Sequence, residues 1–135
     1  MDFGLCIVSK IDDVGYIARA ENLGYSHAWV ADSQMIWSDC YAVLALAAQQ
    51  TRKIKIGTGV SVAGTRIAPV TASSIATINR LAPGRTFLGI GTGNTAMRIM
   101  GHKPLKLKEF ASYLKTLRGL LHGQEVEFTW RGETT

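Results

Sequence analysis

KIKIGTGVSVAGTRIAPVTASSIATINRLAPGRTFLGI, residues 53–90, holds one complete strand–helix–strand unit, and its reading decides the fold class. Lys53–Gly57 is a short β-rich run. Pro69 suits the first turn of a helix, where its missing N–H leaves no bond unmade and its φ is already helical. Ala72, Ile75, Ala76 and Asn79 then recur at three- and four-residue steps, the helical period. Thr86–Ile90 returns to an extended β-rich run after the Pro83-Gly84 break.

The same alternation continues in both directions. Upstream, Phe3–Val8 and His27–Val30 read as strands. Between them a helix is predicted from about Asp12 to Leu23, with Ser9-Lys10-Ile11-Asp12 as a capping signal and Gly24 at the C-terminal position. A second helix follows Asp39 and runs through the alanine-rich Tyr41–Gln50. Downstream, Leu107, Phe110, Ala111, Leu114, Leu117 and Leu121 form one stripe of an amphipathic helix. Glu125–Trp130 reads as a further extended run between Gly123 and Gly132.

Strand–helix alternation implies an α/β fold with a parallel sheet and right-handed crossovers. Each unit takes roughly 30 residues, and eight such units make a barrel of about 250. The 135 residues are therefore expected to form a single domain, the N-terminal half of a (β/α)₈ TIM barrel with about four βα units. Four parallel strands cannot close a barrel, so the first and last are expected to expose edges and the inner face to lack its opposite wall. A homo-oligomer is the expected consequence.

Composition narrows the function classes. With 47% hydrophobic and 19% charged residues the chain is not disordered, and no apolar run reaches the ~18 residues of a membrane span. MDFGLCIVSK lacks a basic region ahead of an apolar stretch and reads as a strand rather than a secretory signal, so a cytoplasmic location is expected. Cys6 and Cys40 have no spaced histidines near them, which leaves no zinc or disulfide framework and points to buried free thiols. The net charge of +5 is dispersed. Its one cluster, Lys103, Lys106, Lys108, Lys115 and Arg118, falls mostly on the polar face of the last helix, a solvated face rather than a nucleic-acid surface.

Ligands of parallel α/β folds bind beyond the carboxyl ends of strands. Those positions carry Ser9, then Asp32-Ser33-Gln34, then Gly59-Val60-Ser61, then Gly91-Thr92-Gly93-Asn94. The rim is polar and glycine-rich, and glycine lets a backbone approach a flat ring or phosphate closely. Gly91-Thr92-Gly93-Asn94-Thr95-Ala96 also fits the dinucleotide pattern G-x-G-x-x-A, so a Rossmann-type nicotinamide-binding module is a rival reading. Against it, the pattern follows the fourth strand rather than the first, and the acidic residue about 20 positions on, Glu109, lies inside a helix. Asp32 reads either as a base or hydrogen-bond orienter or as a helix cap. His27, His102 and His122 suit surface or capping roles, and Trp29, Trp37 and Trp130 suit packing.

The strings AENLGYSHAWVADSQ, IKIGTGV, TRIAPVTASSIATINRLAPGR and FLGIGTGNTAMRIMG, in this order, resemble the luciferase-like monooxygenase group, and within it members similar to methylenetetrahydromethanopterin reductase and other deazaflavin-dependent oxidoreductases. The resemblance implies a flavin-type cofactor, deazaflavin coenzyme F420 or FMN, and a small organic substrate undergoing hydride transfer or monooxygenation. It implies a non-proline cis peptide at Gly59–Val60, in a bulge that backs the ring together with Ser61. It places Asp32 and Ser33 as catalytic or orienting residues, and Gly91, Thr92, Gly93 and Asn94 along the same pocket. Two departures stand out. Many relatives carry histidine after the second-strand aspartate, where Ser33 stands here, and serine is a poor base near neutral pH. The reactive cysteine and phosphate-binding arginine of the bacterial luciferases are replaced by Gly91 and Thr92. That favours hydride transfer over light emission. A non-catalytic half-barrel that dimerises is the other alternative.

Overall fold

The structure, a computed structural model, describes residues 1–135. Strands β1 (Gly4–Ile7), β2 (His27–Val30), β3 (Lys55–Val62) and β4 (Thr86–Gly91) form one sheet. Helices α1 (Gly15–Asn22), α2 (Cys40–Gln50) and α3 (Ala68–Leu81) follow the first three strands. A short α4 (Thr95–Ile99) and the long α5 (Leu107–Leu121) follow the fourth. All pairings in the sheet are parallel and the strand order is β1-β2-β3-β4. Sequential order is that of a barrel wall. It excludes the nicotinamide-binding alternative, because a Rossmann sheet reverses direction at its first strand and binds at that switch point.

Side chains on alternate faces have different jobs. Leu5, Ile7, Ala28, Val30, Ile56 and Leu88 face the helices and pack with Ile17, Val43, Leu44 and Ile75 in the main core. The other face carries Gly4, Cys6, His27, Trp29, Gly57 and Phe87 in register. Trp29 stacks on His27 at 5.5 Å between ring centroids and lies 5.1 Å from Phe87. Gly4 and Gly57 leave the room these rings occupy: a Cβ at Gly4 would strike Trp29, and one at Gly57 would strike Phe87. Trp29 is thus a packing residue, as its position suggested. β1 and β4 are the open edges, as expected from four strands.

Several local expectations need correction. No side chain caps α1. The Ser9–Asp12 signal instead becomes a turn of 3₁₀ helix over Ile11–Asp13, and Ser9 is buried. Ser9 lies under Ser38, whose N–H donates to its carbonyl at 2.8 Å. Cys6 is exposed rather than buried, because its strand position points to the open inner face; Cys40 is buried. β3 runs past Gly57 to Val62. Of the extended run Glu125–Trp130, only β5 (Thr129–Trp130) is strand, hairpinned to β6 (Glu133–Thr134). The stripe on α5 is only part covered. Leu117 is buried while Leu107 and Leu121 are exposed, and the contact face turns to Tyr113, Thr116 and Leu120 against α3. Within these residues α5 packs against α3 and the β4 side chains Leu88 and Ile90. The lysines of the basic cluster are exposed, as a solvated face requires. No helix is long and apolar enough to cross a membrane.

One carboxylate fixes the start of β3. Glu21 on α1 accepts the backbone N–H groups of Arg52 (3.0 Å), Lys53 (2.6 Å) and Ile54 (2.7 Å), donors left free where α2 gives way to strand. Burial works to raise its pKa, but these three bonds and the field of Arg85 hold it below the ordinary 4.5. A depressed carboxylate contributes stability that is complete above its ordinary pKa and is lost as pH falls through the folded value. Denaturant melts of the native chain are therefore expected to lose more stability between pH 6 and 3.5 than those of Glu21→Gln. Parallel losses in the two proteins would remove Glu21 from the acid response.

Candidate functional site

The rim forms where β3 departs from regular pairing. Val30 of β2 is opposite Thr58, and there the β2–β3 ladder ends, although β3 continues for four residues. Between Thr58 and Ser61 the pairing with β4 also shifts register, the mark of a bulge, and the Gly59–Val60 peptide within it is cis. Both were implied for these residues. The bulge is pinned on each side. Before it, the Thr58 hydroxyl donates to the Gly89 carbonyl at 2.6 Å. After it, the Ser61 hydroxyl pairs with the Tyr41 hydroxyl of α2 at 2.9 Å, and the Val62 N–H donates to Asp32 Oδ2 at 3.0 Å.

Asp32 is the hub. Its Oδ1 accepts from Gln34 Nε2 (2.6 Å) and Arg66 Nη2 (3.3 Å), and its Oδ2 accepts from Arg66 Nη1 (2.6 Å) as well as from Val62. Four donors fill the acceptor capacity of a carboxylate. The side chain is 1% exposed and that of Arg66 12%, so this is a buried, forked ion pair. Arg66 also reaches Asp39 Oδ2 at 2.7 Å and lies 5.0 Å over the Tyr41 ring. Asp39, not Asp32, is the helix cap, accepting from the N–H groups of Tyr41 and Ala42 at the start of α2. Asp32 thus serves neither as that cap nor as a residue with a lone pair free for substrate; it orients the protein's own strand.

The electrostatics agree with an internal role. Burial opposes the Arg66 charge, but its hydrogen bond to Asp32, the field of that carboxylate and its hydrogen bond to Asp39 raise its pKa. Burial also opposes ionisation of Asp39, and the Ala42 N–H with Arg66 overcomes it to lower that pKa. Cys40 is pushed up by burial and then by the Asp32 charge, so its thiol stays protonated and is no nucleophile. Tyr41 is likewise held protonated, burial outweighing the bond to Ser61.

The remaining sequence-derived residues divide into two groups. Ser61 is fully buried and its hydroxyl is committed to Tyr41 on the helix side. Ser33 is buried, its carbonyl closing a turn to Trp37 N–H at 3.1 Å. Val60, by contrast, is 46% exposed. Its side chain lies over Gly89 and Gly91, with Val60 Cγ2 3.1 Å from where a Cβ on Gly91 would be. Gly91, Thr92 and Gly93 are half-buried and Asn94 exposed; Gly93 takes φ +84°, and Asn94 Oδ1 accepts from Arg98 Nε at 2.6 Å. Two side-chain oxygens at the strand ends, Ser9 Oγ and Gln34 Oε1, are buried without a partner. Reading the sequence placed Gln34 on the rim without giving it a role, and missed Arg66 and Tyr41. For Arg66 no local signal existed, since its partner lies 34 positions away.

The luciferase-like monooxygenase family model matches residues 10–135. The chain belongs to this family. A 5,10-methylenetetrahydromethanopterin reductase from Methanolobus tindarius is 36% identical over 115 residues, which are 82% of this chain and 34% of that protein. The structure of the coenzyme F420-dependent tetrahydromethanopterin reductase from Methanopyrus kandleri superposes with a TM-score of 0.78 at 27% identity, over 99% of this chain and 44% of that one. The oxygenating constituent of 3,6-diketocamphane monooxygenase from Pseudomonas putida, solved with FMN, gives 0.84 at 17% identity, over 100% of this chain and 43% of that one, a likeness of fold. The chain thus spans about a third of the length of the curated relatives it matches. Within the luciferase-like fold it is part of a TIM barrel, as the strand order implies.

The glycine floor under Val60 makes a direct test of this packing. A Cβ on Gly89 would press on the Thr58 carbonyl oxygen, a backbone atom that cannot swing aside. Gly89→Ala is expected to destabilise the fold by about 1–3 kcal/mol, the usual range for overpacking, measured by urea denaturation. Native stability in that variant would show that the two strands are further apart than described.

Proposed function

We propose that this chain supplies the ring-binding part of a flavin- or deazaflavin-dependent oxidoreductase, which acts by hydride transfer or monooxygenation on a small organic substrate. One observation carries the reading: Val60 stands half-exposed on a pinned bulge, above a floor of Gly89 and Gly91 that has no side chains of its own. A half-exposed apolar side chain with bare backbone beside it fits a fused ring system. Deazaflavin coenzyme F420 and FMN both satisfy these features. F420 is favoured by the identity to the reductases.

Bound there, the ring supplies the two-electron redox chemistry. The chain's own contribution is placement. Gly59 and Val60 would back the ring, the backbone of Gly91, Thr92, Gly93 and Asn94 would lie beside it, and Ser33 and Ser61 would hold the strand ends behind. Asp32 acts through β3 rather than on substrate. Two free cysteines and no disulfide fit a reducing cytoplasm.

Titration with F420 and with FMN, followed by fluorescence quenching, tests the site. The native chain is expected to bind one of them. Gly91→Leu, whose side chain would drive Val60 off its shelf, is expected to lose at least about tenfold in affinity with the fold retained, as a bulky group does in a close-packed contact. Unchanged affinity in that variant would move the ring elsewhere.

A closed barrel would pair β1 and β4 with further strands, whether of the same chain or of another copy, and assembly with another copy is a second, compatible reading. β1 and β4 each have one unpaired side, and His27, Trp29 and Phe87 are only half-buried on the inner face. Two copies related by a two-fold along the barrel axis would set β4 of each parallel to β1 of the other, removing both edges. Sedimentation at micromolar concentration is expected to show a dimer with little binding of an apolar-surface dye. A compact, dye-silent monomer would end this reading.

A further inference from the structure

We propose that Arg66 is a positioning residue for the cofactor ring: by clamping Asp32 it holds the carboxylate that takes the place of a missing strand beside Val62, and so sets where Val60 stands. The inference rests, for the ring, on the function proposed above; for the strand it rests on geometry alone.

Past Thr58, β3 has no β2 residue alongside, yet Val62 is 4% exposed and its N–H needs an acceptor. Asp32 Oδ2 supplies it at 3.0 Å. A buried carboxylate must itself be neutralised and held in one plane. Arg66 does both with its two terminal nitrogens, at 2.6 and 3.3 Å on the two oxygens, and Gln34 closes the remaining acceptor site at 2.6 Å. The guanidinium is fixed in turn by Asp39 at 2.7 Å and by the Tyr41 ring beneath it. Tyr41 returns to the same strand through Ser61. Two consecutive residues after the bulge, Ser61 and Val62, are therefore both tied to the Arg66 cluster. Before the bulge, Thr58 is tied to Gly89. Gly59 and Val60 hang between these two anchors. The β4 anchor is made by backbone and a neighbouring threonine. The Arg66 anchor is the one that depends on side chains from elsewhere in the chain.

Charge removal on both sides separates positioning from stability. Arg66→Met alone leaves Asp32 buried and unpaired and is expected to unfold easily. In the double variant Asp32→Asn with Arg66→Met both charges go together, which restores most of the native denaturation midpoint. The asparagine keeps one acceptor, but nothing fixes its plane. Amide hydrogen exchange at Val62 is expected to speed up about tenfold, and affinity for F420 or FMN to fall by about the same factor, the size of one lost charge-assisted hydrogen bond. Arg66→Lys, which keeps the charge without the fork, is expected to fold and to shift both readouts the same way by severalfold. It decides the matter if the double variant does not fold. A folded double variant or lysine variant with native Val62 exchange overturns the proposal, whatever its affinity. If the native chain binds neither F420 nor FMN, the ring reading fails, and faster exchange at Val62 still supports the clamp.

Discussion

A single buried N–H, that of Val62, sets the terms for the rim. β2 stops at Val30 while β3 runs on to Val62, so the last residues of β3 have a neighbour on one side only. In water such a strand end would be solvated. Here it is buried, and a donor left unpaired in the interior costs about 1–3 kcal/mol. Asp32 meets that need from a corner two residues beyond β2. The remaining features follow in order of necessity: the carboxylate requires Arg66, the guanidinium requires a second acceptor in Asp39, and Asp39 is held at the start of α2 by the two N–H groups it caps. One strand overhang thereby ties together the ends of β2, α2, β3 and the approach to α3.

That chain of necessity explains which parts of the molecule were legible in the sequence. Strand and helix type follow from local period, and the four units, the Pro69 start of α3 and the Gly24 stop of α1 were readable for that reason. The clamp was not readable. Asp32 and Asp39 are the same residue type seven positions apart, and either could cap a helix; only the tertiary position of Arg66, 34 residues on, gives them different work. The Ser9–Asp12 signal failed in a related way. Ser9 has the right chemistry for a cap, but the loop after β2 folds over it, and its hydroxyl ends buried with no partner.

Packing period was also a sound guide to the helix side of the sheet and a poor one to its other face. Leu5, Ile7, Ala28, Val30 and Ile56 alternate with residues that look like gaps in a hydrophobic pattern, Gly4, Cys6 and Gly57. The gaps are filled from the next strand by Trp29 and Phe87. A glycine opposite a large ring is a complementary pair, as in any close-packed core, but the complement lies across strands and cannot be seen along one. The same limit applied to α5, whose apolar stripe could be listed from sequence while the side that meets α3 is set by tertiary packing.

The two faces therefore divide the requirements placed on the chain. The helix-facing side carries the branched and aliphatic residues whose burial stabilises the sheet. The rim of the inner face carries Gly89, Gly91 and Val60, which bury little themselves and leave a shelf. A shelf made of backbone is useful only if the backbone does not move, and glycine gives a chain freedom rather than rigidity. Rigidity must come from outside the glycine segments. Thr58 provides it from the β4 side, and the Asp32–Arg66 pair with Ser61–Tyr41 provides it from the β2 side. The most strongly charged cluster in the interior is thus placed beside the least substituted stretch of backbone, because the second has no means of holding itself.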